Sequence, residues 1–223
     1  EGLGAHRAGL RGEVRLHACT SALLDDLPSA LTRYIAAHPD VDVNVRELDS
    51  AQVVRGVRDG HAHIGISSSY VCTEGLLAFP FRSDSLAVVV PAGHALARYK
   101  SVRFKETLPY EHVALQDGEA FSALLAHMQG VAGECATSMR IRIKVRTSGA
   151  ACRFVDAGLG VAVLRESSAR LYAAGLNLVM VPLREKWSSL RHDICVRDLD
   201  ALPAAARQLV EELRAATTTN TPT

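Results

Sequence analysis

Residues 14–66, VRLHACTSALLDDLPSALTRYIAAHPDVDVNVRELDSAQVVRGVRDGHAHIGI, decide how this chain folds. Val14, Leu16 and Ala18 alternate with Arg15 and His17, the period of a half-buried strand, and the run stops at Thr20-Ser21. Leu24, Leu27, Leu31, Tyr34 and Ile35 follow at helical spacing. Pro39-Asp40 breaks that helix, and Val41, Val43 and Val45 alternate again. Asp49-Ser50 opens a second helix with Val53, Val54 and Val57 on its stripe, and Asp59-Gly60 closes it. Ile64-Gly65-Ile66 is a third strand that ends in Ser67-Ser68-Ser69. This order puts Thr20, Ser21, Asp49, Ser50, Ser67 and Ser68 just beyond the C-terminal ends of strands, where open parallel sheets take ligands.

The chain has 223 residues, 48% of them hydrophobic, enough for one large core or two small lobes. No run of eighteen apolar residues is present, so no membrane span is expected. The N-terminal stretch EGLGAHRAGLRGEVR lacks the apolar centre of a signal peptide. The net charge is +1, without the basic excess of a nucleic-acid-binding module. Arg140, Arg142, Lys144 and Arg146 alternate with Ile141, Ile143 and Val145, which reads as the polar face of a strand before it reads as a phosphate-binding surface. Five cysteines without paired spacing (Cys19, Cys72, Cys135, Cys152, Cys195) argue for a reducing cytoplasm and against a disulfide framework. No metal-ligand spacing, cofactor motif, paired carboxylates or nucleophile motif stands out, so no catalytic residue, metal or cofactor is expected.

Further strands are expected at 76–81, 86–90, 112–115, 140–145, 160–164 and 191–196. Helices are expected at 121–128, 150–157, 167–174 and 203–216. Pro91 and Pro182 mark two crossings between lobes. Residues 12–90 with 183–216 make the first lobe and 91–182 the second; 1–11 reads as the end of a linker and 217–223 as a disordered tail.

The wording also resembles the effector-binding domain of LysR-type transcriptional regulators across residues 12–200. The matching residues are Gly12, Val14-Arg15-Leu16, Thr20-Ser21, Leu27-Pro28, Leu31, His38-Pro39-Asp40-Val41, Val57, Gly60 and Ile64-Gly65-Ile66. Val88-Val89-Val90-Pro91 with Gly93-His94-Ala95-Leu96, and then VDAGLGVAVL at 155–164, match later stretches in the same order. The resemblance implies an α/β, two-lobe type 2 periplasmic-binding-protein-like fold with two mixed sheets flanked by helices and two hinge crossovers. It implies a small-molecule effector bound between the lobes. It also implies a homodimer or homotetramer, with the helix at 24–37 packed beside the partner's second lobe. DNA contact is expected only through an N-terminal winged helix-turn-helix domain absent from this chain. A solute-binding protein of a transport system shares the fold and is the alternative.

Unpaired backbone N–H groups in such a cleft favour an anionic ligand. The second lobe adds Gln116, Asp117, Arg146, Thr147 and Ser148 to the six ligand-binding candidates of the first. Asp117 opposes an anion unless Arg146 pairs with it; Arg146 can equally take a carboxylate bidentately, or both are solvated charges at strand ends. Thr20, Ser50 and Ser148 are as readable as helix N-caps. Two residues depart from the family pattern. His63 replaces an Asp, and Arg165 replaces the Pro that often follows the strand ending at Leu164. Cys135 and Cys152 do not have the spacing of the family's peroxide-sensing branch, so Cys152 reads as buried and inert.

Overall fold

β1 (Gly12–Cys19) pairs in parallel with β2 (Val41–Leu48) on one side and with β3 (Ile64–Ser68) on the other. Between them run α1 (Thr20–Leu23), α2 (Leu27–Ala37) and α3 (Ser50–Arg58). These coordinates come from a computed structural model of the chain, which describes residues 10–24, 27–115 and 139–218. The βαβαβ order read from residues 14–66 is therefore present. β3 is buried along its whole length, as a central strand with both faces covered must be.

The helices cover this sheet from both sides. Val14, Leu16, Ile64 and Ile66 pack with Leu27 and Tyr34 of α2, and with Leu209 and Leu213 of the C-terminal helix α6 (Ala204–Thr218). The Tyr34 hydroxyl donates to the Ala205 carbonyl at 2.7 Å and ties α2 to α6. On the opposite face Val53, Val54 and Val57 of α3 pack on Cys195. Of the expected stripe, Leu27 and Tyr34 are buried and Leu31 packs against the core, while Leu24 ends α1 rather than lying in α2 and Ile35 is 44% exposed.

β4 (Leu77–Pro91) corrects a second expectation. The two strands expected at 76–81 and 86–90 are one strand of fifteen residues with a register shift between Pro80 and Arg82. Its first part, Leu77 to Ser85, pairs antiparallel with β9 (Ser189–Val196), which in turn pairs antiparallel with β3. Its second part, Leu86 to Pro91, lies between β7 (Ala162–Arg165) and β8 (Leu178–Pro182). The partner exchange falls between Ser85 and Leu86.

The second half of the molecule is built around that part of β4. β5 (Glu111–Leu115) and β6 (Arg140–Val145) form a parallel pair, joined to β7 by a bridge between His112 and Val161. Val88, Val90, Phe104, Val181 and Trp187 make one core layer. Val89, Val113, Cys152, Val155 and Ala169 make the other, beneath α4 (Ser148–Asp156) and α5 (Glu166–Ala173). The helix expected at 121–128 and Cys135 lie outside the described residues.

Gly65 is what lets α3 sit directly on β3. A methyl group built there would stand 2.6 Å from Cys195 Sγ, 2.8 Å from Val57 Cγ2 and 2.9 Å from Val53 Cγ1. Overpacking of this kind costs about 1–3 kcal/mol. Gly65→Ala should therefore lower the urea midpoint by that amount of stability. Gly93→Ala, with no atom within 4 Å of the added carbon, should stay within about 0.5 kcal/mol of the parent.

Candidate functional site

Several of the residues beyond the strand ends meet in polar contacts, and the longest chain of them runs Ser50–Ser68–Arg165–Asp84. Thr20 and Ser21 begin α1 at the end of β1. Thr20 is exposed, and its hydroxyl donates to Glu47 at 2.7 Å. The Ser21 hydroxyl turns inward and shares a 2.8 Å hydrogen bond with His192 Nε2. At the end of β2, Asp49 caps α3 by accepting from the Gln52 N–H. Ser50 is the first helical residue rather than the cap. Its buried hydroxyl accepts from the Ser68 N–H at 3.1 Å and fixes the end of β3 against α3.

Ser67 and Ser68 are both buried. Ser67 turns toward the Cys195 thiol, on the α3 face. The Ser68 hydroxyl accepts from the guanidinium of Arg165 at 2.8 Å. This bond links β3, in the first sheet, to β7, on the other side of the partner exchange in β4. Asp84 stands at that exchange. Its carboxylate accepts from the Ser85 N–H, the Ser167 N–H and the Ser167 hydroxyl, and lies 3.8 Å from Arg165 Nη1. Glu166 accepts from the Ser85 hydroxyl and pairs with Arg170, and its carboxyl is held below the usual range by the Ser85 donor first and then by Arg170.

Sequence patterning brought Ser21, Ser50 and Ser68 to this group. Thr147 and Ser148 lie at the start of α4, where Thr147, not Ser148, is the cap and accepts from the Ala150 N–H. Arg146 is exposed at the end of β6. Gln116 and Asp117 lie outside the described residues. Asp84 and His192 are not among the candidates that the sequence offers, and Arg165 enters there only as a departure from the family pattern. Asp84 carried no signal, because it sits inside an alternating polar stretch. His192 sits in a strand whose neighbours read as core.

His192 is fully buried, opposite Ser68 in the β3–β9 ladder. Desolvation, and to a smaller degree the nearby Arg165 charge, push its pKa down to about 3, so the ring is neutral. Its Nδ1 is buried without a hydrogen-bond partner. A neutral imidazole carries one proton, and an unpaired acceptor is tolerated better than an unpaired donor, so the proton sits on Nε2 and is donated to Ser21. A ring in that state cannot accept the serine proton, so Ser21–His192 is a poor nucleophile–base pair. Among the described residues no group of three His, Cys, Asp or Glu side chains is placed to hold a metal ion. A cavity of about 600 Å³ opens elsewhere, between α2 and α6, lined by Ala30, Arg33, Arg82, Leu209 and Glu212. None of its lining residues belongs to the polar group.

Two sheets joined by one strand, with polar residues of both meeting at the joint, are the architecture of the type 2 periplasmic-binding-protein fold. The family model described as the LysR substrate binding domain matches residues 7–218, so the chain belongs to that family. The regulatory protein NocR of Agrobacterium tumefaciens is 28% identical over 169 residues, 73% of this chain and 53% of that protein. The chain spans between 37% and 60% of the length of the first curated relatives it matches. Among solved structures, the effector-binding domain of QuiR in complex with shikimate aligns with a TM-score of 0.79 at 17% identity, covering 95% of this chain and 100% of that one. The BenM effector-binding domain with its effector benzoate aligns at 0.78 and 20% identity, covering 93% of each.

Burial of neutral His192 has a consequence for stability. Its folded pKa lies below the unfolded value of 6.5, so the unfolded chain binds the extra proton first as pH falls. The contribution is complete above pH 6.5 and is lost as pH drops toward 3. At pH 5 the loss is on the order of 2 kcal/mol. His63 acts in the same direction: burial lowers its pKa, followed by the charge of Arg15, and its Nδ1 accepts from the Arg15 N–H. Urea unfolding between pH 7.5 and 5 should show the decline, and His192→Gln should flatten it.

Proposed function

We propose that this chain is the effector-sensing part of a LysR-type transcriptional regulator that works in the cytoplasm. A small, anionic ligand binds between a first lobe (12–90 and 183–216) and a second (91–182), in contact with Ser21, Ser68 and their neighbours. The observation that carries this is the Arg165–Ser68 bond, which joins the two sheets at the place where β4 changes partners. A ligand inserted there alters the angle between the lobes, and that change is what a regulator transmits. Thr20, Asp49, Gln116, Asp117, Arg146, Thr147 and Ser148 complete the expected contact set around it, with Ser67, turned toward Cys195, supporting it from the α3 face. Shikimate bound to QuiR and benzoate bound to BenM support a small carboxylate as the ligand.

DNA recognition belongs, in this proposal, to a separate winged helix-turn-helix domain, and the sensing domain itself performs no catalysis. The chain self-associates through apolar residues left open on both halves. Leu24, Ile35 and Val45 are exposed on the first half, and Phe154 and Leu171 on the second. Two such patches on one chain suit a homodimer in which α2 of one copy packs beside the second lobe of the other, and a homotetramer built from such dimers. The solute-binding alternative shares the fold but has no comparable use for these faces. No helix among the described residues is long and apolar enough to cross a membrane.

A thermal-shift screen against small carboxylates, amino acids and aromatic acids should give at least one compound that raises the melting temperature by mass action. The same chain should fail to shift operator-length DNA in a gel at physiological salt. Sequence-specific binding there would contradict the division of labour. Sedimentation should show a dimer or larger, reduced toward monomer by Ile35→Glu.

A further inference from the structure

The charges of the polar group do not cancel evenly. Arg191 is spent on Asp193, with two hydrogen bonds of 2.6 and 3.1 Å. Asp84 is satisfied by three donors: the Ser85 N–H, the Ser167 N–H and the Ser167 hydroxyl, the last at 2.7 Å. Arg165 is different. Its side chain is 12% exposed, one Nη donates to Ser68, and the other, Nη1, is buried without a hydrogen-bond acceptor, 3.8 Å from the Asp84 oxygen that already accepts from the Ser167 hydroxyl. A buried cationic N–H without an acceptor is costly, and a carboxylate arriving there removes that cost. A guanidinium matches a carboxylate edge to edge. Beside it, Ser21 accepts from His192, and its only other partner is the Cys19 thiol at 3.4 Å, a weak acceptor from which a ligand oxygen can draw the serine proton.

We infer that Arg165 is the residue that binds the effector's carboxylate, and that the effector is a small monocarboxylate with a polar group reaching Ser21. The inference rests on the cleft proposed above and narrows it to one cation and one ligand class. Nη1 takes the carboxylate while the other Nη stays on Ser68, so the ligand's charge is fixed at the bond that already spans the two sheets. A single arginine, half neutralised by Asp84, favours one negative charge over two. Nη1 becomes reachable through a small rotation of the lobes about β4.

The test uses the 223-residue chain, with benzoate, shikimate and acetate as acidic probes and benzamide as a neutral one. Binding is read from the backbone amide resonances of Ser21, Ser68 and Arg165, and affinity by titration calorimetry. An acid should move those resonances and bind more tightly than benzamide. Arg165→Gln should weaken it about 10- to 100-fold, the worth of one charge-assisted hydrogen bond. Arg165→Lys, which keeps the charge and guards against a folding artefact, should lose less, and Arg98→Gln, at an exposed arginine paired with Tyr99 and outside the site, should lose nothing. If Arg165→Gln, folded by circular dichroism, binds acids as the parent does, or benzamide binds as well as benzoate, the inference falls while the cleft stands. If none of the four probes moves the three resonances in large excess, the inference and the cleft fall together.

Discussion

One strand belongs to two sheets, and the rest of the molecule is arranged around that fact. Ser85 and Leu86 are consecutive in β4, yet Ser85 pairs with β9 and Leu86 with β7. Each half has its own apolar layers and helices, with Ile194 and Phe81 in the core of the first and Val88 and Val181 in the core of the second. A rotation of two separately packed bodies about a shared strand would disturb the joint and leave both interiors intact, which is the motion the proposed function requires. The joint is therefore where polar side chains are tolerated. Asp84 there is held by the start of α5, Ser85 reaches Glu166, and Arg165 reaches back to Ser68.

What could be read from the residues, and what could not, follows from the range of the interactions. The strands and helices of residues 14–66 are local: alternation, caps and breakers lie within a few positions of each other, and they fold as read apart from the short α1 and the ends of the α2 stripe. Asp49 caps α3 as its position suggests, and Ser50 and Ser68 meet because consecutive strand ends in a parallel sheet lie side by side. The joint in β4 is non-local. Its Pro80 and its polar stretch 82–85 look like a loop between two strands, because nothing nearby says that β9 will return to pair with them. His192 and Arg165 reach the site from those returning strands, some 170 and 97 residues from their partners Ser21 and Ser68. No spacing rule connects residues so far apart. Arg165 still left a trace, as an arginine standing where the resembled family often has proline.

Helix α2 teaches a related lesson. Its apolar spacing is wider than its core needs: Leu27, Ala30 and Tyr34 face inward, while Ile35 remains in the open. A stripe that exceeds the core cannot be told from core by periodicity, and the surplus is what a second copy would cover. The exposed apolar residues and the buried cation thus have the same character. Each is a group the isolated chain leaves incomplete, and the proposed function assigns one to another subunit and the other to a ligand.

The central claim is that a small acid binds where the two sheets meet. Hydrogen–deuterium exchange with and without an acid that stabilises the chain tests it most directly. Peptides covering 64–69 and 162–170 should slow together, since the ligand would bridge β3 and β7. Protection confined to the residues of α2 and α6 around the cavity at Ala30 and Leu209 would contradict the account and place the ligand there instead.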